Sequence, residues 1–196
     1  MFPIPSEDDV ASVRAELGLD AHTPVVLGVF RLSAEKAPLS FVEACARIIK
    51  SVPDTRAFIV GMGPMQPQIE ALIAELGLQS QIILLGRRSD VNALMRLATV
   101  FLLTSEKEGM PNVLMEAQLM ATPIVATSAG GTSGTIIEGK TGMLCPVGDV
   151  EGLASACVDP HRPFGGRGQG YAAAQRKRTP ALRHRRQDTA FRSFLR

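Results

Sequence analysis

The chain has 196 residues, of which 45% are hydrophobic, and this length and composition suit one globular domain with its own core. No apolar run approaches the roughly 18 residues that a membrane-spanning helix needs, and the first residues lack the features of a signal peptide. Cys45, Cys145 and Cys157 stand in apolar contexts without C-x-x-C spacing, which is typical of buried thiols in a reducing compartment. We therefore expect a cytoplasmic protein.

The net charge of +2 combines two unlike regions. Residues 1–157 contain 11 Lys and Arg against 17 Asp and Glu, a net charge of −6, whereas residues 158–196 contain 10 against 2, a net charge of +8. Residues 159–196 hold only two large aliphatic side chains, too few to offset the entropy of ordering them. We predict a disordered basic tail. The alternatives are a tail that binds nucleic acid or an anionic membrane, and a tail translated out of frame.

Short apolar runs alternate with longer segments of helical spacing. The runs that predict strands are Val25–Phe30, Phe58–Gly61, Ile82–Leu85, Val100–Leu103 and Ile124–Ala126. Because these runs are apolar almost throughout, helices should cover both faces of a parallel sheet. The pattern predicts one α/β, Rossmann-like domain over residues 25–157, preceded by a linker and lead-in helix in residues 1–24.

Capping residues mark several helix boundaries. Ser6 is expected to cap a helix over Ser6–Leu19, Asp149 the last helix, and Asp90 the helix after the third strand. Gly77 is expected just past a helix C-terminus. Pro111 is expected in the first turn of the helix after the fourth strand.

Ligands of a doubly wound sheet bind beyond the carboxyl ends of its strands, so the residues that follow each strand are candidates. Arg31 and Lys36 follow the first strand, on a loop that leads into a helix. Two cations beside a helix N-terminus suit a diphosphate, although an ordinary solvated loop would look the same.

Glycines follow three other strands. Gly61 and Gly63 come after the second strand, and the pair Gly130 and Gly131 after the fifth. Glycine at such positions allows the backbone to approach a ligand or another loop closely. The loop Gly86–Asp90 follows the third strand, and its backbone is a candidate contact for a base.

The strongest signal follows the fourth strand. Glu108 lies in a loop and Glu116 lies about a turn and a half into the next helix, so both carboxylates are expected to face one ligand. A carboxylate can accept two hydrogen bonds from a vicinal diol, such as that of a ribose. The helix start at Pro111–Leu114 offers free N–H groups to phosphate or sugar oxygens.

Together these motifs resemble the C-terminal domain of the retaining, group 1 (family 4) glycosyltransferases of GT-B fold. The motifs are G-V-F-R-L-S-x-E-K at Gly28–Lys36, V-G-x-G-P at Val60–Pro64, E-G-M-P-N-V-L-M-E-A at Glu108–Ala117 and A-G-G at Ala129–Gly131. The E-x7-E spacing of Glu108 and Glu116 is the signature of that family. In many relatives a Glu stands shortly after the glycine pair, at the position of Gly134 here.

The resemblance implies a role for each matching residue. Arg31 and Lys36 would hold the diphosphate of a nucleotide sugar and stabilise the leaving group, and Glu108 would contact the transferred sugar; these three are the catalytic candidates. Glu116 would bind the ribose hydroxyls. The full donor-binding set is Arg31, Lys36, Gly86, Arg87, Glu108, Gly109, Met110, Pro111, Asn112, Val113, Leu114 and Glu116. Such enzymes need no metal and no cofactor, because basic side chains and a helix N-terminus neutralise the charge.

The family's active site lies between two Rossmann-like domains, and this chain matches the second one. We expect a hexosyl transfer with retention by the complete enzyme and no turnover by this chain without an N-terminal acceptor domain. The alternatives are a non-catalytic nucleotide-binding module and a fragment of a GT-B sugar-nucleotide epimerase. A peripheral contact with the inner membrane face and a homo-oligomer are open, and no nucleic-acid partner is expected.

Overall fold

The computed structural model describes residues 3–159. Six parallel strands form its sheet: β1 (Val25–Val29), β2 (Arg56–Val60), β3 (Ile82–Gly86), β4 (Val100–Leu103), β5 (Ile124–Thr127) and β6 (Gly142–Cys145). Their order in the sheet is β3-β2-β1-β4-β5-β6. The chain therefore builds the sheet outward from β1 in one direction and from β4 in the other, and the strand order reverses between these two neighbours.

Helices cover both faces of the sheet. They are α1 (Glu7–Glu16), α2 (Pro38–Ser51), α3 (Gln66–Glu75), α4 (Val91–Leu97), α5 (Asn112–Leu119), α6 (Thr132–Thr135) and α7 (Val150–Val158), with a 3₁₀ turn at Ala34–Lys36. Helix α2 packs against α3 and α7, whereas α4 packs against α1 and α5. Helices on both faces of the sheet confirm the predicted α/β class, a single domain with a parallel sheet flanked by helices.

The core lies between the sheet and its helices. Phe41 of α2, Phe58 of β2 and Phe101 of β4 are fully buried. Phe41 meets Phe30 edge to face, with ring centroids 5.5 Å apart. A Cβ atom at Gly28 would lie 2.6 Å from both rings, so the absent side chain in β1 makes room for this aromatic pair.

Three of the predicted helix boundaries are confirmed. Ser6 caps α1 and forms a capping box with Asp9, the Asp9 N–H donating to Ser6 Oγ at 3.1 Å. The Asp149 side chain accepts a hydrogen bond from the Gly152 N–H at the start of α7. Gly77 follows α3 with a φ of +67°, a left-handed conformation that glycine adopts without strain.

Two capping predictions are wrong in detail. Asp90 stands at the N-cap of α4, but its side chain makes no capping hydrogen bond and accepts from Arg88 instead. A charged, forked guanidinium two residues away competes successfully with the helix N–H groups. Pro111 is the N-cap of α5 rather than a first-turn residue, since the helix begins at Asn112.

The sequence patterns missed β6 and α6. Strand β6 pairs with β5 alone, at the edge of the sheet, and the side chains of Met143 and Leu144 are only partly buried. The four residues of β6 are apolar but include no β-branched side chain, unlike the five strands that were predicted. Helix α6 is a single turn of small polar residues. Most of the predicted basic tail, residues 160–196, lies outside the described residues.

Candidate functional site

The candidate site lies at the carboxyl edge of the sheet, where the strand order reverses. Because all six strands are parallel, the residues that follow them meet at this edge. The loop after β1 carries Arg31 and Lys36, and the loop after the adjacent β4 carries Glu108. The two loops therefore flank the crevice in which open α/β sheets bind ligands.

An ion pair joins the two loops. Lys36 Nζ lies 2.7 Å from Glu108 Oε1, and the Glu108 side chain is only 7% exposed while that of Lys36 is 23% exposed. A buried carboxylate needs such a partner, because removal from water is costly for an unpaired charge. Two residues 72 positions apart in the chain thus share one small polar cluster.

Further hydrogen bonds hold the Glu108 loop in place. Ser105 is fully buried, and its Oγ donates to Glu108 Oε1 at 2.6 Å. Thr104 Oγ1 lies 3.1 Å from the carbonyl oxygens of both Lys36 and Ala37. Ala37 has a φ of +45°, a strained conformation for a residue with a side chain. The contact with Thr104 helps to hold that strained turn, and with it the position of Lys36.

The glycine pair after β5 packs against the backbone of the same loop. A Cβ atom at Gly130 would lie 2.0 Å from the Glu108 carbonyl oxygen, and one at Gly131 would lie 1.6 Å from that of Gly109. The Gly131 N–H donates to the Glu108 carbonyl at 3.0 Å. Only glycine permits this backbone contact, so the pair serves another loop rather than a ligand directly.

Gly61 and Gly63 act in the same way on the loop after β1. A Cβ atom at Gly61 would lie 1.9 Å from the Phe30 carbonyl oxygen, and one at Gly63 would lie 2.3 Å from that of Leu32. The Leu32 N–H also donates to the Met62 carbonyl at 3.1 Å. These glycines pack the loop after β2 against the backbone that leads into Arg31 and Lys36.

Helix α5 begins beside Glu108 and carries Glu116. No side chain caps its N-terminus among the described residues, which leaves the N–H groups of Asn112 and Val113 available to an anion, whereas that of Leu114 donates to the Pro111 carbonyl at 2.9 Å. Glu116 is partly buried, and burial raises the pKa of its carboxyl above the usual value. Its side chain makes no hydrogen bond within residues 3–159. The partner expected for this carboxylate is therefore absent from the described part of the chain.

An open groove of about 640 Å³ lies at the ends of β1, β2 and β3. The residues lining it include Phe30, Arg31, Met62, Arg87, Arg88 and Val91. Arg31 and Arg87 are exposed, and neither forms an ion pair with a described residue. The groove thus combines apolar walls with two available positive charges.

Arg88 differs from its neighbour Arg87, because most of its donors are engaged by carboxylates. It forms ion pairs with Glu16 of α1 at 2.6 Å and with Asp90 at 2.6 Å. Its hydrogen bonds lower the pKa of both carboxyls, and the two carboxylates raise the pKa of the guanidinium in return. Sequence reasoning missed this cluster, because no local pattern links Glu16 to a residue 72 positions away.

The remaining residues of the predicted donor-binding set are Gly86 and those around the start of α5. Gly86 ends β3 with a φ of +64°, and its carbonyl accepts a hydrogen bond from the Gly61 N–H at 2.8 Å. Gly109, Met110 and Asn112 are exposed around the start of α5. Pro111 and Leu114 are buried, whereas Val113 is partly buried. The structure therefore gathers every member of the predicted set on the carboxyl edge of the sheet or on the helix that begins there.

Two kinds of feature are absent from the described residues. Residues 3–159 contain no group of three or more His, Cys, Asp and Glu side chains placed to hold a metal ion. No helix within that range has both the length and the apolar character needed to cross a membrane.

The fold and these motifs define a member of a known family. The family model for group 1 glycosyl transferases matches residues 23–160, which is more than half of the chain. The protein belongs to the group 1 glycosyltransferases.

Its curated relatives are much longer than this chain. The Vi polysaccharide biosynthesis protein VipC/TviE of Salmonella typhi is 35% identical over 138 residues, which are 70% of this chain and 24% of the relative. N-acetyl-alpha-D-glucosaminyl L-malate synthase of Bacillus anthracis is 31% identical over 150 residues, 76% of this chain and 39% of that enzyme. The chain thus spans about a quarter to two fifths of these relatives.

Two solved structures of one protein share this fold. The Anabaena protein HepE in complex with UDP has a TM-score of 0.74 and 28% identity, over 88% of this chain and 49% of its own. HepE in complex with UDP-glucose has a TM-score of 0.74 and 27% identity, over the same shares.

Proposed function

We propose that this chain binds the donor of a glycosyl transfer, a nucleoside-diphosphate sugar, at the edge shared by β1 and β4. The observation that carries the proposal is the Lys36–Glu108 ion pair, which lies at the reversal of strand order between the exposed Arg31 and the uncapped start of α5. A cation, a carboxylate and free N–H groups converge there, and these groups match a diphosphate joined to a polyol.

The diphosphate would lie between Arg31 and the N-terminus of α5. Arg31 is exposed and free of ion pairs among the described residues, so its forked donors are available to phosphate oxygens. Lys36 would turn its remaining N–H donors to the same group while it keeps its bond to Glu108. These charges would stabilise the nucleoside diphosphate as it leaves, and no metal is needed for that role.

Glu108 would bind the sugar. Lys36 and Ser105 both contact Oε1, and no described residue hydrogen-bonds to Oε2. The second oxygen can therefore accept from a sugar hydroxyl while the first remains anchored. Gly109 and Met110, which follow on the same loop, would lie along the sugar.

Glu116 would accept two hydrogen bonds from the ribose hydroxyls. Its carboxylate is partly buried and lacks a partner among the described residues, so a diol would satisfy it. The base would enter the groove of about 640 Å³, between the apolar Phe30 and Val91 and beside Arg87. The structures of HepE in complex with UDP and UDP-glucose make uracil the first base to test.

Transfer with retention would need more protein than this chain provides. One side of a cleft leaves the bound donor facing water, so much of the transition-state stabilisation is lost. We therefore expect binding without turnover until an acceptor-binding domain is supplied. We expect the complete enzyme to be cytoplasmic, and contact with the inner membrane face and homo-oligomer formation remain part of the proposal.

Two other functions fit parts of the site. A non-catalytic module that only holds nucleotide would bind UDP and UDP-glucose with equal affinity, because nothing would contact the sugar. A sugar-nucleotide epimerase would change the sugar of the donor without an acceptor. The contacts of Lys36 and Ser105 with Glu108 Oε1 leave Oε2 without a hydrogen bond from a described residue, and this free acceptor favours a function that binds the sugar.

Calorimetric titration of the purified chain with UDP and with GDP tests the proposal. We expect saturable binding of one of them, weakened by Arg31→Ala. Lys50→Ala is the matched control, because Lys50 is an exposed cation on α2 outside the site. No binding of either nucleotide, or an equal loss in the control variant, would refute the proposed site.

A further inference from the structure

A cluster of three charged residues ties helix α1 to the loop that follows β3. Arg88 Nε and Nη2 donate to Asp90 Oδ1 and Oδ2 at 2.8 and 2.6 Å. Arg88 Nη1 and Nη2 donate to Glu16 Oε1 and Oε2 at 2.6 and 2.8 Å. We call this cluster of Arg88, Glu16 and Asp90 the Arg88 clamp. The guanidinium of Arg88 is bidentate toward both carboxylates, which fixes its plane.

The clamp leaves Arg88 poorly suited to bind a phosphate. A guanidinium has five N–H donors, and four of them point at carboxylates here. Two negative charges also surround its one positive charge. Arg88 nevertheless lines the groove in which a base would bind, next to the unpaired Arg87. Its function in that groove is therefore to hold the wall in place.

The loop depends on this support. Its first residue, Gly86, is held by a hydrogen bond from the Gly61 N–H. Arg87 and Ser89 are exposed, and their side chains make no hydrogen bond within the described chain. The Asp90 side chain makes no capping hydrogen bond to α4. Arg88 thus supplies the side-chain contacts of the loop, and half of them reach Glu16, the last residue of α1.

We propose that Arg88 and Glu16 are positioning residues for the base end of the donor site, fixing the wall of the groove through helix α1. The proposal rests on the proposed function, since it assigns a role within the same site. It adds that α1, which packs against α4, helps to determine how tightly the nucleoside is held. Nucleoside affinity and diphosphate affinity then respond differently when α1 is altered.

The structure supplies a matched control. Helix α1 forms a second ion pair, between its Glu7 and Arg96 of α4. Glu7 lies at the end of α1 that is far from the groove. Glu7→Ala and Glu16→Ala remove the same charge from the same helix, and each deletes one ion pair that it forms with the rest of the fold. The two variants differ in whether that pair touches the loop Gly86–Asp90.

The test compares UDP with inorganic pyrophosphate as probes of the unmodified chain, Glu16→Ala and Glu7→Ala. We expect Glu16→Ala to weaken UDP binding at least threefold and to change pyrophosphate binding less than twofold. Glu7→Ala should change both less than twofold. Arg88→Lys, which keeps the charge but loses the fork, should match Glu16→Ala. Unchanged UDP affinity in Glu16→Ala, or an equal loss for both probes, would overturn the proposal.

Amide hydrogen exchange gives a second readout that needs no ligand. Exchange at Arg87–Asp90 should be at least threefold faster in Glu16→Ala than in the unmodified chain, and unchanged in Glu7→Ala. Equal rates in Glu16→Ala and the unmodified chain would overturn the clamp even if UDP fails to bind. Faster exchange together with no UDP binding would instead overturn the proposed function and the role of the clamp in nucleoside affinity.

Discussion

Lys36 Nζ lies 2.7 Å from Glu108 Oε1, across the point where the strand order of the sheet reverses. The pair joins the two loops to which the donor is assigned, and one of its members is almost fully buried. A substrate that takes hydrogen bonds from Lys36 and gives them to Glu108 would therefore meet groups that are already oriented, which reduces the cost of binding.

Lys36→Ala should destabilise the fold, because it leaves the Glu108 carboxylate with Ser105 as its sole described partner. We expect a loss of about 1–3 kcal/mol in the free energy of unfolding, the usual cost of an unsatisfied buried polar group. Urea denaturation measures this loss. In a Glu108→Gln background the same substitution should cost much less, since no charge remains to be neutralised. An equal loss in the free energy of unfolding in both backgrounds would show that the ion pair does not stabilise the fold.

Glu116→Gln should separate binding from stability. Burial raises the pKa of this carboxyl, so the folded state favours its neutral form. The free energy of unfolding therefore falls as the pH rises through the raised pKa. The neutral variant should therefore be as stable as the unmodified chain or more stable at pH 7, by thermal denaturation. It should still bind UDP more weakly. Lower stability together with unchanged binding would show that Glu116 is a structural residue.

Acidification should weaken UDP binding in the unmodified chain through the same carboxyl. Glu116 must be ionised to accept both ribose hydrogen bonds, and it becomes protonated at a higher pH than an ordinary Glu. Calorimetry across the acidic range should show this loss, and Glu116→Gln should abolish that part of the pH dependence. An identical pH profile in the variant would exclude Glu116 as the titrating group.

Gly130→Ala should destabilise the fold and disturb the Glu108 loop. Gly130 has a φ of +50°, and a Cβ atom there would meet the Glu108 carbonyl oxygen at 2.0 Å. The left-handed conformation alone costs an alanine about 1–2 kcal/mol, and the backbone clash adds to that. Gly134→Ala is the control, because its Cβ would meet nothing within 4 Å. Similar unfolding midpoints in the two variants would contradict this account.

The sequence predicted the class of fold and the neighbourhood of the site, for identifiable physical reasons. Buried parallel strands such as Val100–Leu103 must be apolar throughout, so they stand out from the helices between them. Parallel strands also bring all their carboxyl ends to one edge. The positions of Arg31 and Glu108 along the chain therefore sufficed to place them on that shared edge.

The remaining features depend on contacts that have no local signature. The Arg88 clamp joins residues 72 positions apart, and nothing near Glu16 in the sequence distinguishes it from a solvated helical Glu. Ser105 stands only three residues before Glu108, but its role as a donor to Glu108 depends on the side-chain packing of the loop. Strand β6 was missed because its short run Gly142–Cys145 lacks the β-branched residues that the predicted strands share.

The most direct test of the central claim is a crystal structure of this chain with UDP-glucose. We expect the diphosphate within hydrogen-bonding distance of Arg31 and Lys36, with Glu116 accepting from the ribose and Glu108 Oε2 accepting from the glucose. A nucleotide bound away from the carboxyl edge of β1 and β4, or bound there without contact to Glu108 and Glu116, would contradict that claim.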